Sequence, residues 1–362
     1  MSDRRPARVA ALQAALTDLH LDALLVTALP NVRYLTGFSG SNALLVVTAR
    51  GDLLLITDFR YETQVVDEVG DAARTVIADQ STWGALWREL PSLPGVEVIG
   101  FEGAALVHRD FERLLGDGAR WQWRPVRDVV ETRRGRKDRD ELALIETAAA
   151  MAVAALGATL PAVRPGLTET AVAGLLERAL REAGSEGYPF PTIVASGPRS
   201  ALPHARSSQR VIEPGDFLLI DFGAVHGGYC SDITRTVVVG RADAEQRAVY
   251  DAVAAAQAHA CGAVRAGLTG AEADAPLVLK HFQDVLAGRK AARPGFWKKR
   301  IRIGLGIAGV SALLGLWGLA RSMSPDLEGG EELTIVVLVV GLVFGAAGLL
   351  IALLAWRFDK QE

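Results

Sequence analysis

The chain has 362 residues, 39 Lys and Arg against 42 Asp and Glu, a net charge of −3, and 50% hydrophobic but only 6% aromatic residues. That length has room for about two or three domains, and the near balance of charge excludes a global nucleic-acid signature. Cys230 and Cys261 stand far apart, which excludes a disulfide framework or zinc ribbon and leaves each as a small buried hydrophobe by default.

The N-terminal stretch MSDRRPARVAALQAAL lacks the long apolar core of a signal peptide, so the front of the chain is expected in the cytoplasm. Val9, Leu12, Leu16 and Leu19 recur at helical spacing and predict an amphipathic helix over Arg5 to Leu19. Asp22 to Thr27 reads as a short buried strand. Asn31 to Asn42 reads as a helical turn followed by a glycine and serine loop. Residues 43–48 and 53–57 form a hairpin across Arg50-Gly51-Asp52. Alternation continues through strands at 75–77 and 96–100 and helices near 83–89 and 108–115, which argues for an α/β domain over residues 1–132. Gly37-Phe38-Ser39-Gly40 has neither the lysine nor the helix context of a phosphate loop.

The charge run Arg133 to Asp140 reads as a solvated linker and helix start, followed by a long helix from Leu142 to Leu156. Thr168 caps the next helix, with Glu169 supporting its first turn, and Gly184 stops it. Thr192 to Gly197 is a strand, and the following loop holds His204. A second long helix runs from Ala244 to Val264.

Two apolar runs flank a polar, glycine-containing turn in VIEPGDFLLIDFGAVHGGYCSDITRTVVVG, residues 211–240, which predicts a β-hairpin. A turn centred on His226-Gly227 sets Asp221 directly opposite Asp232, with Cβ atoms roughly 4.5–5.5 Å apart. Two carboxylates that close repel unless a cation or proton lies between them. Two readings stay open: a divalent metal held by the pair, or a strand-end acid beside a solvated turn acid, paired with Arg235.

Asn31 to Asn42, Arg134 with Lys137-Asp138 and Glu141-Leu142, PFPTIVASGPRSALPHA, and GDFLLIDFGAVHGGYCSDITRTVVVG together resemble the Xaa-Pro peptidase family. These are the aminopeptidase P, prolidase and creatinase relatives among the M24 metallopeptidases with the pita-bread fold. The resemblance covers residues 5 to 275. It implies a creatinase-type N-terminal α/β domain that helps to form a homodimer, then an α+β pita-bread domain over residues 133–275. It further implies that Asp221 and Asp232 ligate a paired divalent site of manganese, cobalt or zinc, that Asp232 bridges the two ions, and that His204 lines the site near the scissile bond of a proline-containing peptide.

The resemblance also implies a histidine in a GHGxGH-type stretch and two separate glutamates as further ligands, and none of these motifs is present. After Asp232 the only histidines are His259 and His281, both expected to be solvated, so the pita-bread domain is expected to be incomplete from Pro276 onward. Residues 276–300 form a basic linker, and residues 301–358 read as a two-helix transmembrane hairpin with spans at 303–320 and 333–356. Each span approaches the ~20 residues that cross a bilayer. Trp297, Trp317 and Trp356 lie near their ends, and the basic flank predicts both termini in the cytoplasm, in contact with membrane lipid. The sequence therefore supports a membrane-tethered Xaa-Pro peptidase relative that lacks part of its metal site. The alternatives are a non-catalytic membrane-anchored interaction module, or a truncated peptidase fused to an unrelated small membrane protein.

Overall fold

The structure is a computed structural model that describes residues 3–272. The predicted basic linker, His281 and both predicted spans lie outside the described residues. The chain divides into two compact units that part after Arg241.

The first unit opens with α1 (Arg5–Asp18), β1 (Ala23–Val26), α2 (Leu29–Thr36), β2 (Ala43–Thr48) and β3 (Leu53–Asp58). It continues through α3 (Glu62–Val69), β4 (Arg74–Ala78), α4 (Thr82–Glu89), β5 (Val98–Glu102), α5 (His108–Leu115), β6 (Gln122–Val126) and α6 (Val129–Gly135). The strands form a six-stranded mixed sheet in the order β4-β3-β2-β1-β5-β6. Strand β2 runs antiparallel to its neighbours β1 and β3, whereas β4, β5 and β6 add in parallel.

Near-continuous apolar runs explain this sheet, because both its faces are covered. Leu24, Val26, Leu45 and Val47 pack with Leu12, Leu16 and Leu35 on one side. Leu25, Leu44, Val46 and Ile56 pack with Trp83, Leu86 and Leu114 on the other.

The rest of the unit holds α7 (Arg139–Thr159), α8 (Glu169–Glu182), β7 (Ile193–Ser196), β8 (Phe217–Phe222), β9 (Val225–His226), β10 (Tyr229–Cys230) and β11 (Ile233–Val238). A three-stranded antiparallel sheet runs β11-β8-β7. Leu218, Ile220 and Phe222 of β8 are fully buried, packed with Ala152 and Ala155 of α7 and Val172, Leu176 and Leu180 of α8. The opposite face, Phe217, Leu219 and Asp221, is only half-buried, as the strand alternation predicts.

Among the described residues one helix, Arg139–Ala162, is long and apolar enough to cross a membrane by length and composition. Beyond Glu141 at its start, its buried residues are small or hydroxylated and recur at helical spacing, Ala148, Ala152, Ala155 and Thr159, along a face that packs against α8. That is the pattern of a core helix.

The charge run starts a helix as expected, with Asp138 capping α7, but its first residues are themselves helical. Arg133 and Arg134 belong to α6, and Arg133 reaches α1 by donating Nε and Nη2 to the Ala11 carbonyl at 3.1 and 2.8 Å.

In the second unit the structure describes α9 (Ala244–Ala263), opened by a capping box between Asp243 and Gln246. No residue of α9 is buried. Its Cys261 is exposed, as is Cys230 on the short β9–β10 ribbon, so neither is the buried hydrophobe expected from the sequence. His259 is exposed, as expected.

Candidate active site

The hairpin register differs from the expected one. Tyr229 pairs with His226 and Cys230 with Val225, so the turn centres on Gly227-Gly228. Both glycines have positive φ, 57° and 75°. A two-residue turn with positive φ at both central positions is the type that matches strand twist, and glycine adopts it without a Cβ penalty. A turn on His226-Gly227 would have forced His226 into that region.

The shift moves every partner by two residues and preserves the faces. Asp221 now stands opposite Thr234, not Asp232. Thr234 Oγ1 donates to Asp221 Oδ1 at 2.9 Å, while Arg235 turns its Nη1 to the Thr234 carbonyl. Asp232 is exposed and lies between β10 and β11. Extending the register puts it across from Gly223 and diagonal to Asp221, a relation that separates residues by roughly 7–8 Å.

The hairpin is anchored at its neck and its tip. At the neck, Ser231 N donates to the Ala224 carbonyl at 2.9 Å. Ala224 N donates to Ser231 Oγ at 3.0 Å, and that hydroxyl donates to the Ala148 carbonyl of α7 at 3.1 Å. At the tip, the Glu186 carboxylate accepts from the amides of Gly227 and Gly228.

Tyr229 then ties the tip to the start of α7 and, beside it, to Arg8 of α1. Its hydroxyl donates to Glu141 Oε1 at 2.8 Å. Arg8 of α1 donates Nη2 to Asp138 Oδ2 at 2.9 Å, lies 3.6 Å from Glu141, and stacks 4.3 Å above the Tyr34 ring. Burial, then the bond to Glu141 and its charge, push the Tyr229 hydroxyl up to about 12. Within the N-terminal domain, Asn31 of α2 joins β5 to α6, donating to Glu102 at 2.6 Å and to Glu131 at 2.5 Å while accepting from Arg134 at 2.8 Å.

His204 is exposed on the loop that follows β7. The loop returns beside that strand: Ser207 Oγ accepts from Val194 N at 2.9 Å and donates to the Thr192 carbonyl at 3.0 Å. Ile193, between them, pairs with Asp221. The three expected site residues therefore belong to neighbouring parts of one small sheet and its loop. Among the described residues, no group of three or more His, Cys, Asp and Glu side chains gathers as a metal site.

Sequence reasoning missed Glu169. It was assigned to the first turn of α8, where Thr168 indeed caps Ala171 N at 3.1 Å. The Glu169 side chain turns elsewhere, to Ser196, Arg199 and Ser208. Burial pushes its carboxyl up, but these bonds outweigh burial and hold it below the usual carboxylate range. Nothing local in the sequence marks a helix-start glutamate as buried.

Residues 8–135 match the creatinase/prolidase N-terminal domain, and residues 143–307 match metallopeptidase family M24. The chain is 36% identical over 268 residues to the uncharacterized peptidase YqhT of Bacillus subtilis, covering 71% of this chain and 72% of that protein. It belongs to metallopeptidase family M24. A Pyrococcus horikoshii Xaa-Pro dipeptidase is 32% identical over 255 residues, 70% of each chain. Among solved structures, the Xaa-Pro dipeptidase of Bacillus anthracis superposes with a TM-score of 0.72 at 33% identity, covering 77% of this M24 chain and 78% of that one. The P. horikoshii OT3 prolidase gives 0.68 at 29%, covering 78% of each. The family match runs to residue 307, past Pro276, where the sequence was expected to leave the family.

The carboxylates of Asp221 and Asp232 are hard donors of the kind that suit manganese. As a donor set they do not fit a dinuclear centre. Two carboxylates balance half the charge of two dications and fill few of their coordination positions, and no third acidic, imidazole or thiol side chain joins them among the described residues.

Proposed function

We propose that this M24 protein is a membrane-tethered relative of the Xaa-Pro peptidases that recognises proline-containing peptides and, with the residues of this chain, does not hydrolyse them. The observation that carries this reading is the donor set. Asp221 and Asp232 lie on one hairpin, and no third ligand joins them among the described residues. Beyond Asp232 the only histidines are His259, which is exposed on α9, and His281, and neither sits in a glycine-rich motif. The peptide specificity rests on the Xaa-Pro dipeptidase relatives and on His204 in the loop that follows β7, the strand that pairs with Asp221. The tether rests on the two charge-poor apolar runs at 303–320 and 333–356; the basic flank before the first of them supports an orientation with both termini in the cytoplasm.

The test is an assay of the full chain with manganese and an Xaa-Pro-Xaa peptide, run on membrane and soluble fractions. The expected result is a chain found in the membrane fraction that releases no more N-terminal residue than its Asp232→Ala variant. Manganese-dependent release that disappears in Asp232→Ala would overturn the catalytic reading. A chain wholly in the soluble fraction would overturn the tether.

A further inference from the structure

Glu169, the first residue of α8, is fully buried. One of its oxygens, Oε1, accepts from both the amide and the hydroxyl of Ser196 at 2.8 Å. The other, Oε2, accepts from the amide of Ser208 at 3.0 Å and its hydroxyl at 2.6 Å. Arg199 Nε lies 3.3 and 3.1 Å from the two oxygens. Ser196 ends β7, and Ser208 follows the loop that carries His204. A single carboxylate thus binds the residue that enters the loop, the residue that leaves it, and a cation within it.

The remaining bonds of the loop work to the same end. Arg199 Nη2 donates to the Arg206 carbonyl at 2.6 Å, which ties the two limbs together. Ser200 Oγ donates to the Gly197 carbonyl at 2.7 Å. Arg210 Nη1 donates to Ser196 Oγ at 2.6 Å and is held in turn by Asp216. Above this base Leu202, Pro203 and His204 are exposed. A helix-start acid that served only its own helix would sit at the surface near the first-turn amides. Glu169 does neither, because Thr168 caps Ala171 N.

We propose that Glu169 is the positioning residue that closes the loop from Gly197 to Ser207 and so sets where His204 stands relative to Asp221. Its functional meaning rests on the reading of His204 as a residue of the peptide site. The clamp itself does not depend on that reading.

The test uses the full chain with Glu169→Gln, which keeps shape and loses charge, and Ser208→Ala, which removes one hydroxyl from the loop side and leaves the buried carboxylate with its other partners. Two readouts are taken: trypsin cleavage after Arg199 and Arg206, and the nitrogen-15 spectrum of the histidine rings, with His204 assigned through His204→Ala. Glu169→Gln is expected to be cut at these two bonds roughly tenfold faster than wild type. Cleavage elsewhere should not change, and the His204 ring signal should shift. Ser208→Ala is expected to lie between the two. A folded Glu169→Gln with unchanged cleavage and an unmoved His204 signal would overturn the clamp. If that variant does not fold, Ser208→Ala decides by the same two readouts. Loss of peptide binding in His204→Ala tests the other reading separately, since unaltered binding would remove the functional role of His204 and leave the clamp standing.

Discussion

Gly223→Ala is expected to destabilise the protein by about 3 kcal/mol or more, at or beyond the upper end for overpacking a filled site. Gly223 links β8 to the neck of the hairpin and is buried. A Cβ there would collide with the Ser231 backbone oxygen and come within 2.6 Å of Pro189 Cγ. The Ser231 backbone cannot step aside cheaply. Its amide is bonded to Ala224, and its side chain is bonded to Ala224 and to Ala148 of α7. The added methyl must therefore separate the strand bearing Asp221 from the segment bearing Asp232. Gly187→Ala is the control: a Cβ there meets nothing within 4 Å, so a change within about 0.5 kcal/mol is expected. Urea unfolding of the two variants checks the comparison. A Gly223→Ala midpoint equal to that of Gly187→Ala would show that the neck is more compliant than its bonds imply.

The same neck and tip show what the sequence could and could not tell. The faces of β8 were legible, because strand alternation has a period of two and a register error of two residues leaves it intact: Leu218, Ile220 and Phe222 are buried as expected. The pairing itself was not legible. His226-Gly227-Gly228 allows a turn on either adjacent pair, and only the conformation, with positive φ at both glycines, selects the second. The direct Asp221–Asp232 opposition was lost in that choice, and the Thr234 hydroxyl took the place opposite Asp221.

Elements with strong apolar periodicity, such as α1, β1, β2, β3 and α7, fell within a few residues of their expected places. Helix α3, strand β6 and helix α6 were not foreseen. Strand β6, Gln122–Val126, is an edge strand whose residues are half-buried or exposed, so it carries little apolar signal. Helix α6 is held by Arg133 bonded to α1 and by Arg134 bonded to Asn31, contacts made across more than a hundred residues of sequence. Glu169 was missed for the same reason, since its partners Ser196 and Ser208 arrive only through the tertiary fold.

Glu141→Ala is expected to cost about 3 kcal/mol, the low end for removing one partner from a buried charged group, which lowers Tm by roughly 6–12 °C for a domain of this size. Glu141 is 2% exposed and serves three groups at once. It accepts from Tyr229 at 2.8 Å, closes the capping box of α7 by accepting from Asp138 N at 2.8 Å, and faces Arg8 at 3.6 Å. Its loss strands the Tyr229 hydroxyl and leaves Arg8 with Asp138 as its remaining carboxylate. Arg8 Nε is already a buried donor without a partner, so this cation has little reserve. The low end applies because Asp138 stays in place.

A second readout separates loss of the Tyr229 bond from general loosening. The Tyr229 hydroxyl is raised in the folded protein from 10.0 to about 12, first by burial and then by Glu141. A raised folded value means that the folded state holds this proton more tightly than the unfolded chain does. The associated stability is therefore complete below pH 10 and is lost as the pH climbs from 10 towards 12. In Glu141→Ala the hydroxyl loses its acceptor and the nearby negative charge, so its tyrosinate absorbance should appear earlier in an alkaline titration. Tyr229→Phe, which carries no hydroxyl, should remove that late-titrating component altogether. An unshifted titration in a folded Glu141→Ala protein would mean that Glu141 does not hold the hairpin tip through Tyr229, and the hairpin would then be held by Glu186 at its tip and by the Ser231 bonds to Ala224 and to Ala148 of α7 at its neck.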